Sequence, residues 1–363
     1  MIDKTRFFEL VKIFQARMKN FAANFALTIK NINFRERFGV LWINLKSLKP
    51  RKFRRLYKKL RKKIASSWKT LSGAIVCFLF LYYVVGACLI ENVNVSNVYQ
   101  LPKTNRHKSE IAASMAFLID REIDAKMWTP NLPPVFPAYI LDNMPNFQIG
   151  IITAVRDHAY VLKNFADKTP EQMKNTKKAE EFLRYSPYVW LMSKKSSFGL
   201  APSANAQYRK ARSELLKYNK TDFTVYEADF DVYLRRLARV LRLLIQKNDS
   251  HIIEHSQEFL DTKADDLFYK TRGYAFATWQ IATAAGFDYK TLLVQNNVYT
   301  EWTYLLSSLQ KAAELKPLMV RNGKIDSVFG TNHLLAQNYY LERALVAVTE
   351  IQKKIQEKNA DKN

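Results

Sequence analysis

Residues 71–90, LSGAIVCFLFLYYVVGACLI, are twenty consecutive positions without a charge. As a helix rising about 1.5 Å per residue, such a run is about 30 Å long, the thickness of a bilayer's hydrocarbon core. No other stretch of the 363 residues is apolar over a comparable length. The run therefore predicts a transmembrane helix over 69–91. It would separate a basic cytoplasmic arm, 1–68, from a connector, 92–108, and a helical extracytoplasmic domain, 109–357, with a frayed tail at 358–363.

Charge supports that division and orients it. Residues 1–69 carry 20 Lys and Arg against 3 acids, whereas the remaining 294 carry 37 against 30. Close to the run, residues 49–69 supply eleven positive charges and residues 91–110 only three. Positive charge is retained on the cytoplasmic side, so the N-terminus is expected inside. The densest cluster is Arg51, Lys52, Arg54, Arg55, Lys58, Lys59, Arg61, Lys62 and Lys63, nine basic residues in thirteen. Clustered Lys and Arg also neutralise nucleic-acid phosphates. Here no helix-turn-helix, zinc ligand set or base-stacking motif accompanies them, and the position beside the run favours anionic lipid headgroups. Further upstream, Phe8, Val11, Phe14, Met18, Phe21 and Phe25 recur at helical spacing. This basic amphipathic helix would suit a membrane surface, or it would pack its stripe against protein.

Other readings of the run fit less well. A signal peptide has a short basic segment, not one of seventy residues, and the arm is too rich in Lys and Phe for a transit sequence. The VGAC stretch ending at Cys88 looks like a lipoprotein-processing box, but it lies far from Met1. Cys77 and Cys88 are the only cysteines. Eleven helical residues hold them about 16 Å apart, too far for a disulfide. The domain beyond the run must therefore fold without disulfides, and a cysteine-based site is excluded there.

That domain reads as all-α. Glycine is scarce, 9 residues, and 5 of 11 prolines crowd into 130–145. Apolar residues at three- and four-residue spacing predict helices over 109–124, 148–167, 170–185, 204–218, 226–247, 251–261, 264–286, 299–315 and 332–357. Helices at this density imply a bundle of antiparallel neighbours. The proline-rich passage 128–146 is expected to be an ordered extended loop.

Several words carry a resemblance. DNMPNFQIG at 142–150, LIDRE at 118–122, DDLFYKTRG at 265–273, NGKIDSVFGTNH at 322–333 and the tyrosine-containing segment 206–218 resemble a bacterial family, domain of unknown function 2333. The likeness spans most of 105–355. It implies an inner-membrane protein with one N-terminal helix and a helical extracytoplasmic domain, and no particular activity. The basic arm is longer than the family leads one to expect.

Candidate chemistry is sparse. His251, Glu254 and His255 spell H-x-x-E-H, a zinc-protease pattern in which two histidines share a helix face and the glutamate activates water. Asp249 or Ser250 would cap a helix there, placing the motif in its first turn, where Glu254 suits the helix dipole without a metal. In DNMPNFQIG, Asp142 or Asn143 would close a turn and Asn146 would cap a helix from Phe147. Alternatively Asp142, Asn143 and Asn146 face a groove rimmed by the proline loop and Trp128. Asp266 and Arg272 are six residues apart, so each is free to reach a different element. His333 opens the last helix as an acid/base or a capping group. No P-loop, paired-glycine fingerprint or G-x-S-x-G is present, and no cofactor is expected. The expectation is an envelope scaffold or accessory binding module, with anionic lipid and envelope proteins as partners. The alternative is a cell-wall- or peptide-acting hydrolase.

Overall fold

The computed structural model describes residues 50–103, 108–165, 168–190, 201–255, 261–323 and 331–361. The amphipathic stripe of residues 8–25 lies outside them. Among the described residues the fold is helical, and the only extended pairing is an isolated bridge between Asn322 and Asn332. The chain divides into two units, Met1–Leu79 and Phe80–Asn363.

Helix α1, Pro50–Ile90, contains the apolar run. Its Thr70–Ile90 portion is long and apolar enough to cross a membrane, and only 6% of the most apolar window is buried by protein. Within Phe80–Asn363 there follow α2 (Glu110–Asp120), α3 (Asn143–Lys163), α4 (Pro170–Leu183) and α5 (Ala204–Tyr218). The remainder are α6 (Glu227–His255), α7 (Thr262–Asp288), α8 (Lys290–Gln295), α9 (Tyr299–Glu314) and α10 (His333–Ala360). The starts follow from local chemistry. Ser109, Ser203, Asp261 and Asn332 each cap a helix by accepting a backbone N–H. Thr169 and Gln172 form a capping box around Pro170, whose missing N–H costs nothing in a first turn.

Helix α7 is the centre. Leu267, Phe268, Ala275, Phe276, Ile281, Ala282 and Ala285 are buried on several sides of it, which is the pattern of a helix enclosed by others. It is packed by α2, α3 and α9. Hydrogen bonds and ring contacts fix the senses of these pairs. Asp288 lies at the start of α2 while Arg121, just past its end, stacks on Phe276, so α2 and α7 are antiparallel. Arg272 bonds Ala313, and the Trp302 ring lies against Gly286, so α7 and α9 are antiparallel as well. Helices α3 and α7, distant in sequence, run the same way: Asn146 meets Asp266 and Gly150 meets Lys270 and Tyr274. That pair departs from antiparallel packing throughout.

Three sequence expectations are corrected. Helix α3 starts at Asn143 with Asp142 as its cap, not at Phe147 with Asn146 as cap. Pro145 does not interrupt it, because first-turn N–H groups have no intrahelical partner to lose. Helix α6 is continuous through Asp249 and Ser250, where the sequence predicts a break. There Asp249 accepts from the Asn338 amide at 2.7 Å instead of capping a new helix. The short α8 falls between the predicted helices 264–286 and 299–315.

Candidate functional site

Two of the words that carry the resemblance, 142–150 and 265–273, meet where α3 and α7 begin. Asn146 donates from Nδ2 to Asp266 Oδ1 at 2.6 Å and to the Asp142 carbonyl at 3.0 Å. Asp142 accepts from the Asn143 backbone at 2.8 Å, and Asn143 Nδ2 reaches Glu91 Oε1 at 3.5 Å. Asp142, Asn143, Asn146 and Asp266 are thus brought together, with Glu91 and Asp265 beside them. Burial, then Asp142, Asp266 and Glu91, push the Asp265 carboxyl up to about 6. Burial and Asp142 also raise Asp266, against the Asn146 hydrogen bond.

Beneath this acidic rim lies a layer of buried cations and rings. Arg272 is 2% exposed, donates from Nε to the Ala313 carbonyl at 2.8 Å and lies 5.6 Å from the Phe147 ring. Burial depresses its affinity for the proton. Asp266 and Arg272 therefore reach α3 and α9 respectively, and they do not pair. Lys126 lies 5.8 Å from the same Phe147 ring and 3.6 Å from Glu122. Burial, opposed by Glu122, lowers its ammonium to about 8. Buried Arg121 pairs with Glu122 and stacks 4.6 Å from Phe276.

Gln148 ties this layer to the proline loop. Its Nε2 donates to Glu122 Oε2 at 3.2 Å and to the Met127 carbonyl at 3.0 Å. Its Oε1 accepts from Thr129 backbone and hydroxyl at 2.9 and 2.8 Å. Trp128 faces away from this point. It is 1% exposed, donates to the Pro187 carbonyl at 3.1 Å and packs edge-on against Tyr208, so it rims no groove.

The remaining candidates are elsewhere. His251, Glu254 and His255 occupy the last turns of α6, not the first turn of a new helix. Glu254 therefore gains nothing from a helix N-terminus. His251 Nε2 lies 2.7 Å from Asp261 Oδ2, with the His255 ring 4.5 Å from its own. Burial raises the Asp261 carboxyl, but hydrogen bonds from His251, Ala264 and Asn322 outweigh it and hold the group below the usual range. Among the described residues no group of three or more His, Cys, Asp or Glu could hold a metal ion. His333 is the first residue of α10. Its Nδ1 accepts from the Arg321 backbone at 3.0 Å, and burial lowers its basicity. In the basic cluster, Lys58 and Lys59 are exposed. The side chains of Arg51, Lys52, Arg54, Arg55, Arg61, Lys62 and Lys63 lie outside the described ones.

Two polar centres had no sequence signal strong enough to name them. Asp288 is buried in front of α2 and accepts from the Glu110 and Ile111 backbones at 3.0 and 3.1 Å. Burial pushes it up to about 7, against those bonds. Asp157 accepts from Arg236 at 2.7 Å and from the Tyr274 hydroxyl at 3.0 Å. Each requires knowing which helices meet.

A family profile described as an uncharacterised protein conserved in bacteria, domain of unknown function 2333, matches residues 129–246 and 244–358. The segments at 142–150, 206–218, 265–273 and 322–333 fall inside the match, and 118–122 falls outside it. No curated protein and no solved structure matches the chain. With well over half its length matched, the chain belongs to the bacterial family of domain of unknown function 2333.

Proposed function

We propose that this chain is a single-pass inner-membrane protein whose extracytoplasmic helical bundle is a scaffold or accessory binding module of the cell envelope. The observation that carries the reading is the exposed apolar Thr70–Ile90 portion of α1. Leaving that much apolar surface in water is costly at about 25 cal/mol per Å², whereas a bilayer removes the cost. The eleven positive charges before the run, against three after it, support a cytoplasmic N-terminus. The basic residues 51–63 then serve anionic headgroups, and the arm 1–68, span 69–91, connector 92–108 and domain 109–357 are its working divisions.

A binding role draws support from how the candidate groups are used. Asn146 is spent on Asp266, Arg272 on Ala313, His251 on Asp261 and His333 on Arg321. These bonds join one helix or loop to another, as a rigid platform requires. In-cell photocrosslinking from exposed positions of the domain tests the proposal. Reproducible adducts with defined envelope proteins are expected. Turnover of wall glycan or peptide by the purified full-length chain, abolished by one substitution, would contradict it.

One contact favours the hydrolase alternative. A carboxylate 2.7 Å from a histidine nitrogen can orient the ring for proton transfer. Under that reading Asp261→Asn removes a measurable turnover. Under the binding reading it weakens only the junction of α6, α7 and the 322–332 bridge.

A further inference from the structure

Residues 127–141, MWTPNLPPVFPAYIL, are fifteen positions without a charge. Their tip does not close over the domain. Val135 is 66% exposed, Tyr139 55% and Ile140 52%. The Phe136 ring meets Trp190, itself exposed, edge-on at 6.4 Å. Such a patch of large apolar side chains needs an occupant.

Its attachment identifies that occupant. The hydroxyl of Tyr82 donates to the Val135 carbonyl at 2.9 Å, and that of Tyr83 to the Pro134 carbonyl at 2.5 Å. A Cβ on Gly86 would lie 2.6 Å from the Pro137 ring, so the loop seats on α1 where only glycine leaves room. Higher up, Asn143 reaches Glu91, the Asn92 N–H meets Met144 sulfur at 3.3 Å, and Lys126 donates to the Asn92 carbonyl at 2.9 Å. Both ends of the loop thus stand level with the end of α1, where charge resumes on both segments. The tip stands beside Tyr82 to Gly86, four to eight residues inside the apolar run. At about 1.5 Å per residue that is about 6 to 12 Å below Ile90.

Much of the loop's backbone hydrogen bonding is met within the protein. Of residues 132–141, Pro133, Pro134 and Pro137 have no N–H. Leu132, Phe136, Tyr139 and Leu141 donate their N–H to carbonyls three residues back, at 3.0 to 3.2 Å. The two tyrosine hydroxyls satisfy carbonyls at the tip. Irregular backbone at membrane depth is tolerated only where protein covers it, and here α1 covers one side of the loop.

We propose that the proline loop inserts its tip, Val135 to Ile140, into the outer leaflet of the bilayer beside α1, with Tyr139 and Trp190 at the headgroup level. The helical domain is thereby held on the membrane at two points and cannot swing freely about the connector. This rests on the membrane-spanning reading of Thr70–Ile90, and the test separates the two.

In a full-length background carrying Cys77→Ser and Cys88→Ser, single variants Phe80→Cys, Val135→Cys, Tyr139→Cys and Leu318→Cys are labelled with a fluorophore. They are then reconstituted into phosphatidylethanolamine–phosphatidylglycerol vesicles containing lipid with a nitroxide high on its acyl chain or, for Phe80→Cys, near the chain's end. Circular dichroism confirms that each variant keeps its helix content. The expected result is at least twofold quenching at Phe80, Val135 and Tyr139 and none at Leu318. Quenching at Phe80 alone overturns loop insertion and leaves the span intact. Absence of quenching at Phe80 overturns the span, and the insertion with it.

Discussion

Gly150 and Gly273 face each other's backbones where α3 crosses α7. A Cβ on Gly150 would lie 2.0 Å from the Lys270 carbonyl oxygen, and one on Gly273 would lie 2.0 Å from that of Phe147. Each glycine closes one of the words shared with the family, DNMPNFQIG and DDLFYKTRG. The two words are therefore the two halves of one helix crossing. The close approach brings Phe147 within 6.0 Å of Phe276 and lets Asn146 reach Asp266.

The crossing predicts a specific double-mutant result. Gly150→Ala and Gly273→Ala should each destabilise the chain in detergent by about 2 to 3 kcal/mol, since overpacking against backbone outweighs the helix propensity gained. The double variant should cost less than the sum, because separating the helices once makes room for both methyl groups. Urea unfolding followed by circular dichroism measures all three. Additive losses would mean that the two sites do not share a contact.

Gln148 is expected to hold the proline loop to α3. Gln148→Leu leaves the Thr129 N–H and hydroxyl and the Met127 carbonyl without the partner they have in Gln148, a loss of about 3 kcal/mol. It should also speed proteolysis within 127–141 in detergent several-fold ahead of global unfolding. Cleavage rates that track global stability alone would count against that role.

Asp288 sets a pH dependence with a definite sign. Its folded-state value of about 7 lies above the ordinary carboxyl value, so the folded chain binds this proton more tightly than the unfolded one. The contribution is fully present below about pH 4 and is lost as pH rises through 7. The urea midpoint of the native chain should therefore fall between pH 5 and 8 more steeply than that of Asp288→Asn. Equal slopes would place the proton elsewhere.

The acidic rim shows the same direction at lower pH. With Asp265 raised to about 6 by burial and by Asp142, Asp266 and Glu91, its favourable protonation is lost as pH rises through 6. Asp265→Asn should stabilise the chain at pH 8 and have little effect at pH 4. A loss of stability at pH 8 would show that the carboxylate has a partner that outweighs the repulsion.

Much of this fold is legible in the sequence where the cause is local. The apolar run, the helix over 204–218 and the period of α9 and α10 depend on neighbours a few residues away. The misreadings lie where a distant partner overrides a local preference. Asp249 and Ser250 look like a helix start, but Asn338 from α10 takes the Asp249 carboxylate and α6 continues. Pro145 looks like a breaker but falls where a helix has no N–H to lose. Trp128 looks like a loop aromatic but is drawn into the core by the Pro187 carbonyl and Tyr208. For the candidate site, the residue types were visible in the words, whereas the pairing of Asn146 with Asp266 needed the α3–α7 crossing.

The central claim is that Thr70–Ile90 crosses the membrane and leaves the helical domain outside the cytoplasm. A tandem alkaline phosphatase–green fluorescent protein reporter fused after Asn363 tests it in growing cells. The account predicts active phosphatase and a dark fluorescent protein. Bright fluorescence with inactive phosphatase would contradict it.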